Sequence, residues 1–131
     1  MKLRIKGNSL RFRVSRSDVD RLLETGRVEE TVHFGLDQDA RLTFALEHTR
    51  SQQNITALRR AQEIAIVLSS ESVQQWAHSS EQVGVYGRLD VWNGELMLLV
   101  EKDFACLDGT NADNEDTFPN PTIGIVRRES L

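Results

Sequence analysis

The sequence predicts an α+β domain in which about eight antiparallel strands form one strongly bent sheet or an open barrel, with two short helices packed on it. Three observations predict this. Apolar and polar residues alternate with a period of two over most of the first hundred residues, turn signals separate the alternating runs, and only two segments carry capped helical patterns. With 131 residues, 39% hydrophobic and 27% charged, the chain can bury a core of its own.

Residues 1–14 read as a β-hairpin. Leu3, Ile5, Leu10, Phe12 and Val14 alternate with Lys2, Arg4, Lys6, Arg11 and Arg13, so one face is apolar and the other wholly cationic. Gly7-Asn8-Ser9 supplies a turn, because glycine and asparagine tolerate the positive φ that a tight hairpin requires. Residues 15–26 follow as a short helix, with Ser17 and Asp20 approximating a capping box, Gly26 as the stop, and Val19, Leu22 and Leu23 on the inward face. Residues 27–35 alternate again. A turn at Asp37-Gln38-Asp39 leads to a run in which Leu42, Phe44 and Leu46 are apolar, which completes a second hairpin. After a polar loop at 48–53, residues 54–60 form a strand that ends in a tight turn at Ala61-Gln62.

Ile64 to Leu68 are consecutive apolar residues, so residues 63–68 read as a strand covered on both faces. Residues 69–79 form the second helix, with Val73, Trp76 and Ala77 inward. Residues 83–91 and 95–104 pair across Asn93-Gly94, the strongest hairpin signal in the chain. An internal repeat is suggested, because residues 10–23 align without gaps on residues 64–77, with apolar on apolar at Leu10/Ile64, Phe12/Ile66, Val14/Leu68, Val19/Val73 and Leu22/Trp76. Two hairpin-helix-hairpin halves account for the alignment; so does the general likeness of any strand that runs into a capped helix. Residues 1–106 are expected to form the domain, and residues 107–131 an acidic, proline-containing loop or tail docked on it.

Lys2 to Arg13 with Gly7-Asn8-Ser9 between them, the run Val100-Glu101-Lys102-Asp103-Phe104-Ala105-Cys106-Leu107, and Phe118-Pro119-Asn120-Pro121 together resemble a family of short bacterial proteins known only as a domain of unknown function. That resemblance spans nearly the whole chain and implies no activity. Eight antiparallel strands with inward-pointing cations also resemble the triphosphate tunnel enzymes at the level of fold. Those enzymes open on Glu-x-Glu-x-Lys, whereas this chain opens on Lys2-Leu3-Arg4-Ile5-Lys6 and lacks the metal-binding carboxylates at that place.

Five like charges on one face of two paired strands repel unless an anion sits over them. Lys2, Arg4, Lys6, Arg11 and Arg13 are therefore the candidate binding residues, and the expected function is a small module that presents them to an anionic small molecule or an acidic protein surface. Glu29, Glu30, Glu47 or Glu101 on neighbouring strands could instead supply the anions, leaving a structural or protein-interaction domain. A third reading is a metal-dependent phosphate ester or anhydride hydrolase of tunnel type, with the metal on Glu29, Glu101 or Asp103.

No cofactor or metal site is expected. The acidic residues around Asp108 to Asp116 lack the order of a calcium loop, no paired cysteines or His-x-x-x-His spacing suits zinc, and no phosphate-binding glycine loop or nucleophile elbow occurs. Cys106, the only cysteine, reads as a buried structural thiol. The acidic stretch and the basic hairpin should attract each other. A net charge of −4 argues against nucleic acid as the partner. No apolar run approaches the length of a membrane span, residues 1–6 alternate where a signal peptide needs an unbroken apolar stretch, and a lone cysteine suits a reducing compartment, so a cytoplasmic location is expected.

Overall fold

In the computed structural model, which describes residues 1–104 and 116–119, the strands are β1 (Lys2–Ile5), β2 (Ser9–Val14), β3 (Arg27–His33), β4 (Arg41–Thr49), β5 (Ile55–Arg60), β6 (Glu63–Ser69), β7 (Gly84–Val91) and β8 (Gly94–Lys102). The helices are α1 (Arg16–Thr25), between β2 and β3, and α2 (Ser70–His78), between β6 and β7. The α+β class and the element order follow the sequence. The single bent sheet does not: the strands divide into two four-stranded sheets, β1-β2-β8-β7 and β3-β4-β6-β5. Nor is the pairing antiparallel throughout. β2 runs parallel to β8, and β4 parallel to β6. Each hairpin stays antiparallel, as its turn demands, and the two parallel pairs are the central joints where a hairpin of one half meets a hairpin of the other.

The halves share one register. Ser9 pairs with Met97 and Glu63 with Thr43; Lys2 pairs with Arg13 and Thr56 with Val67. Every one of these residues in the first half lies 54 positions before its counterpart, Ser9 to Glu63 and Thr43 to Met97 alike, which is the spacing of the internal alignment. Each half thus gives its first hairpin to one sheet and its second to the other.

Both helices bridge the sheets across the C-terminal ends of the central strands. α1 leaves the end of β2, and the Gly26 carbonyl at its far end accepts from the His48 amide near the end of β4; α2 leaves β6, and the Val83 carbonyl after it accepts from the Lys102 amide at the end of β8. The caps are Ser15 and Ser69, again counterparts. The capping box of α1 is built from Ser15 and Asp18 rather than Ser17 and Asp20: Ser15 Oγ accepts from the Asp18 amide at 3.2 Å and Asp18 Oδ2 from the Ser15 amide at 3.0 Å. Two serines with an aspartate three positions on compete for this role, and the end of β2 at Val14 decides between them.

The core fills the space between the sheets. Leu10, Phe12, Val14, Leu98 and Val100 face Phe44, Leu46, Ile66 and Leu68, with Val19, Leu22, Val73 and Trp76 of the helices closing one end. Phe12 meets Phe44 edge to face, with ring centroids 6.0 Å apart, a geometry the ring quadrupoles favour. Leu3 and the apolar phase of β2 point into this core, while Ile5 near the turn is exposed; the cations on the other face point to solvent and line no tunnel. The sheets abut at two seams without a shared ladder. At one, Ile55 of β5 packs onto Gly87 of β7; at the other, the Met1 ammonium bonds Glu30 at 2.7 Å and Asp18 at 3.0 Å. Glu30, which interrupts the apolar phase of β3, is the residue that meets this ammonium.

The hairpin turns at Gly7 and Ala61 are also counterparts, and both residues have positive φ, 56° and 39°. Alanine pays a steric cost there that glycine does not. Ala61→Gly is expected to raise stability by roughly 0.5–1 kcal/mol and Gly7→Ala to lower it by about as much, both measured by urea unfolding. Nothing lies within 4 Å of a Cβ placed at Gly7, so that loss is conformational alone.

Candidate anion-binding face

The outer face of the β1-β2-β8-β7 sheet can be read from its register. One row across the strands is Lys2, Arg13, Glu101 and Gly84; the next is Arg4, Arg11, Leu99 and Tyr86. Alternation places all of these opposite the buried Leu10, Phe12, Val14, Leu98 and Val100. The five cations singled out from the sequence thus share one face, as two like-charged cross-strand pairs with Lys6 beyond them at the turn.

Two of the five have carboxylate partners. Lys2 Nζ lies 2.9 Å from Asp103, and Arg11 Nε bonds Glu101. Glu101 also accepts from the Tyr86 hydroxyl at 2.9 Å. Burial and this bond to a carboxylate push the Tyr86 pKa up to about 12, so the phenol stays protonated and keeps donating. Arg4, Lys6 and Arg13 have no ion pair among the described residues. Arg4, Lys6 and Arg11 converge with Ser9 and Leu99 on one pocket of about 220 Å³. Lys2 and Arg13 lie one row away from it.

The outer face of the other sheet, built on the same register, is charge-balanced. Arg27 bonds Glu29, Glu47 and Glu63, and Arg60 bonds Glu47 at 3.0 Å and Glu63 at 2.6 Å. These arginines hold the Glu63 carboxyl below its ordinary range, Arg27 being the larger cause. A depressed carboxylate stabilises the fold above its unfolded pKa and loses that contribution as pH falls through the folded one. Stability is therefore expected to decline on acidification below about pH 4.3, and Glu63→Gln to flatten that decline, as measured by urea midpoints across an acid series. A decline of unchanged steepness in the variant would contradict the assignment to Glu63.

The carboxylates of the hydrolase reading do not converge. Glu29 sits on the opposite sheet against Arg27, while Glu101 and Asp103 are engaged by Arg11 and Lys2. Among the described residues no three His, Cys, Asp or Glu side chains are placed to hold a metal. Asp116 accepts from the Ser17 amide and hydroxyl at the start of α1, so this part of the acidic stretch meets the helix N-terminus and not the cationic hairpin. Asp108, Asp113, Glu115 and Cys106 lie outside the described residues. Trp76 is fully buried and Trp92 92% exposed, as their positions in the helix and beside the turn predict.

Two polar residues escaped the sequence reading. Tyr86 was not singled out, although it follows the solvent phase of β7; Lys102 was not either, although it continues the inward phase of Leu98 and Val100. A lysine in the apolar phase of a strand is the signal that marks it. No helix among the described residues is long and apolar enough to cross a membrane.

Fold and site together define a two-sheet α+β protein with one charge-balanced outer face and one cationic one. The chain belongs to a family of unknown function (DUF7009), whose model matches residues 1–122. No curated protein and no solved structure matches it.

Proposed function

We propose that the protein is a binding module that holds an anionic ligand on the outer face of the β1-β2-β8-β7 sheet. Arg4, Lys6 and Arg11 are the central contacts, and Lys2 and Arg13 extend the field. The observation that carries this reading is the contrast between the two faces. One fold, repeated with one register, neutralises Arg27 and Arg60 with Glu29, Glu47 and Glu63 on one sheet, yet among the described residues leaves Arg4, Lys6 and Arg13 without carboxylates on the other. Like charges placed on adjacent strands cost stability until an anion covers them. Arginine and lysine donors around a shallow pocket suit phosphate or carboxylate oxygens, with affinity that screening by salt reduces.

The test is a thermal-shift series with inorganic polyphosphate at low and high salt, with and without magnesium, on the wild type and on Arg4→Ala plus Arg11→Ala. Stabilisation by polyphosphate is expected, independent of magnesium, weaker at high salt and lost in the double variant. No stabilisation at low salt would refute the module. Magnesium-dependent release of phosphate would replace it with the hydrolase.

A further inference from the structure

The halves differ around Lys102. Its counterpart in the first half is His48, and both backbones donate to the segment that follows a helix, Lys102 to Val83 and His48 to Gly26. In the first half Gly26 alone separates α1 from β3. In the second, residues 79–83 separate α2 from β7, and the chain returns after β8 so that Phe118 bridges Phe104 and stacks on it edge to face. These two departures from the repeat wall a pocket of about 360 Å³, lined by Arg16, His78, Lys102, Phe104, Phe118 and Pro119 among others. That volume is in the range of small-molecule sites.

Lys102 is the buried group of this pocket, 5% exposed. Its ammonium donates to the Ser79 carbonyl at 2.6 Å, at the C-terminal cap of α2, and lies 5.3 Å from the centroid of the Phe118 ring. Carbonyl, ring face and helix terminus all favour the charged amine. None of them neutralises it, and no carboxylate lies within ion-pair distance among the described residues. Burial alone holds its pKa below the ordinary lysine range. A buried cation calls for an anion that shares its enclosure.

We propose that this pocket binds a small organic carboxylate, with its oxygens on Lys102 Nζ and its apolar body against Phe104, Phe118 and Pro119. One enclosed ammonium matches one negative charge. Among the described residues, the second charge of a phosphate would find Arg16 and His78, both exposed and screened by water. The two phenylalanine rings and the proline favour an apolar body over a further polar group.

The test uses the full chain with benzoate as probe, benzyl alcohol and inorganic phosphate as comparisons, and NMR of the Lys102 ε-methylene with thermal shift as readouts. Benzoate is expected to saturate, to move the Lys102 signal, and to bind at least about tenfold more tightly than either comparison, as a charge-assisted bond in an enclosed site implies. Lys102→Met should abolish this. Ser80→Trp, which keeps Lys102 but fills a pocket-lining position, should abolish it with the fold intact, so the proposal stays testable even if Lys102→Met fails to fold. Arg4→Ala plus Arg11→Ala should leave it unchanged, which separates this site from the cationic face. An equal response to phosphate, a stationary Lys102 signal, or undiminished binding in folded Ser80→Trp would each overturn the proposal.

Discussion

Replacing Trp76 with alanine is expected to cost about 3–5 kcal/mol and to lower Tm by roughly 10–20 °C. Trp76 is fully buried where the two helices close the end of the core, and its indole Nε1 donates to the Val83 carbonyl at 3.0 Å. The loss has two parts. The larger is the cavity, because neighbours anchored in two different sheets cannot collapse into it. The smaller is the hydrogen bond, and it is cheap here: Val83 O also accepts from the Lys102 amide at 3.0 Å, so the carbonyl is not orphaned. Trp76→Phe should therefore cost far less than Trp76→Ala. Circular dichroism melts of both variants check the order, and similar losses would mean that the hydrogen bond, not the volume, carries the site.

Gly87→Ala is expected to cost about 1–3 kcal/mol, and Ile55→Leu to recover most of that loss. A Cβ built on Gly87 overlaps Cγ2 of the buried Ile55, so β5 and β7 approach this closely only because position 87 has no side chain. Leucine keeps the apolar volume but carries no branch at Cβ, which removes the colliding methyl. A double-mutant cycle by urea unfolding measures the coupling. Additive losses would show that the seam relaxes by strand movement and not through Ile55.

The hairpins were legible because each is a local matter of alternation and turn chemistry, as at Gly7-Asn8-Ser9 and Asn93-Gly94. The repeat was legible for the same reason, since Leu10 to Leu22 and Ile64 to Trp76 share one apolar phase. Which hairpin pairs with which was not. That choice rests on contacts such as Phe12 with Phe44 and Leu10 with Leu98, far apart in sequence, and no short-range pattern distinguishes one bent sheet from two. The cationic face was readable as a face from the alternation of Lys2 to Arg13. Its partners were readable only as a set: Glu101 meets Arg11, whereas Glu29 and Glu47 belong to Arg27 on the other sheet. Alternation fixes which side of its own strand a residue takes, and the sheet to which the strand belongs fixes the rest.

Because each half of the chain divides its hairpins between the sheets, the order of synthesis is at odds with the order of assembly. The first hairpin leaves the ribosome with Leu10, Phe12 and Val14 already displayed, yet the strand that must lie beside β2 ends at Lys102. Until translation reaches that point only the β3-β4-β6-β5 sheet has all its strands, since β6 is complete at Ser69, while β1 and β2 wait for β8. Closure of the core between the sheets is thereby deferred until β8 emerges, and the waiting apolar side chains of β2 are the surface that a ribosome-bound chaperone would meet.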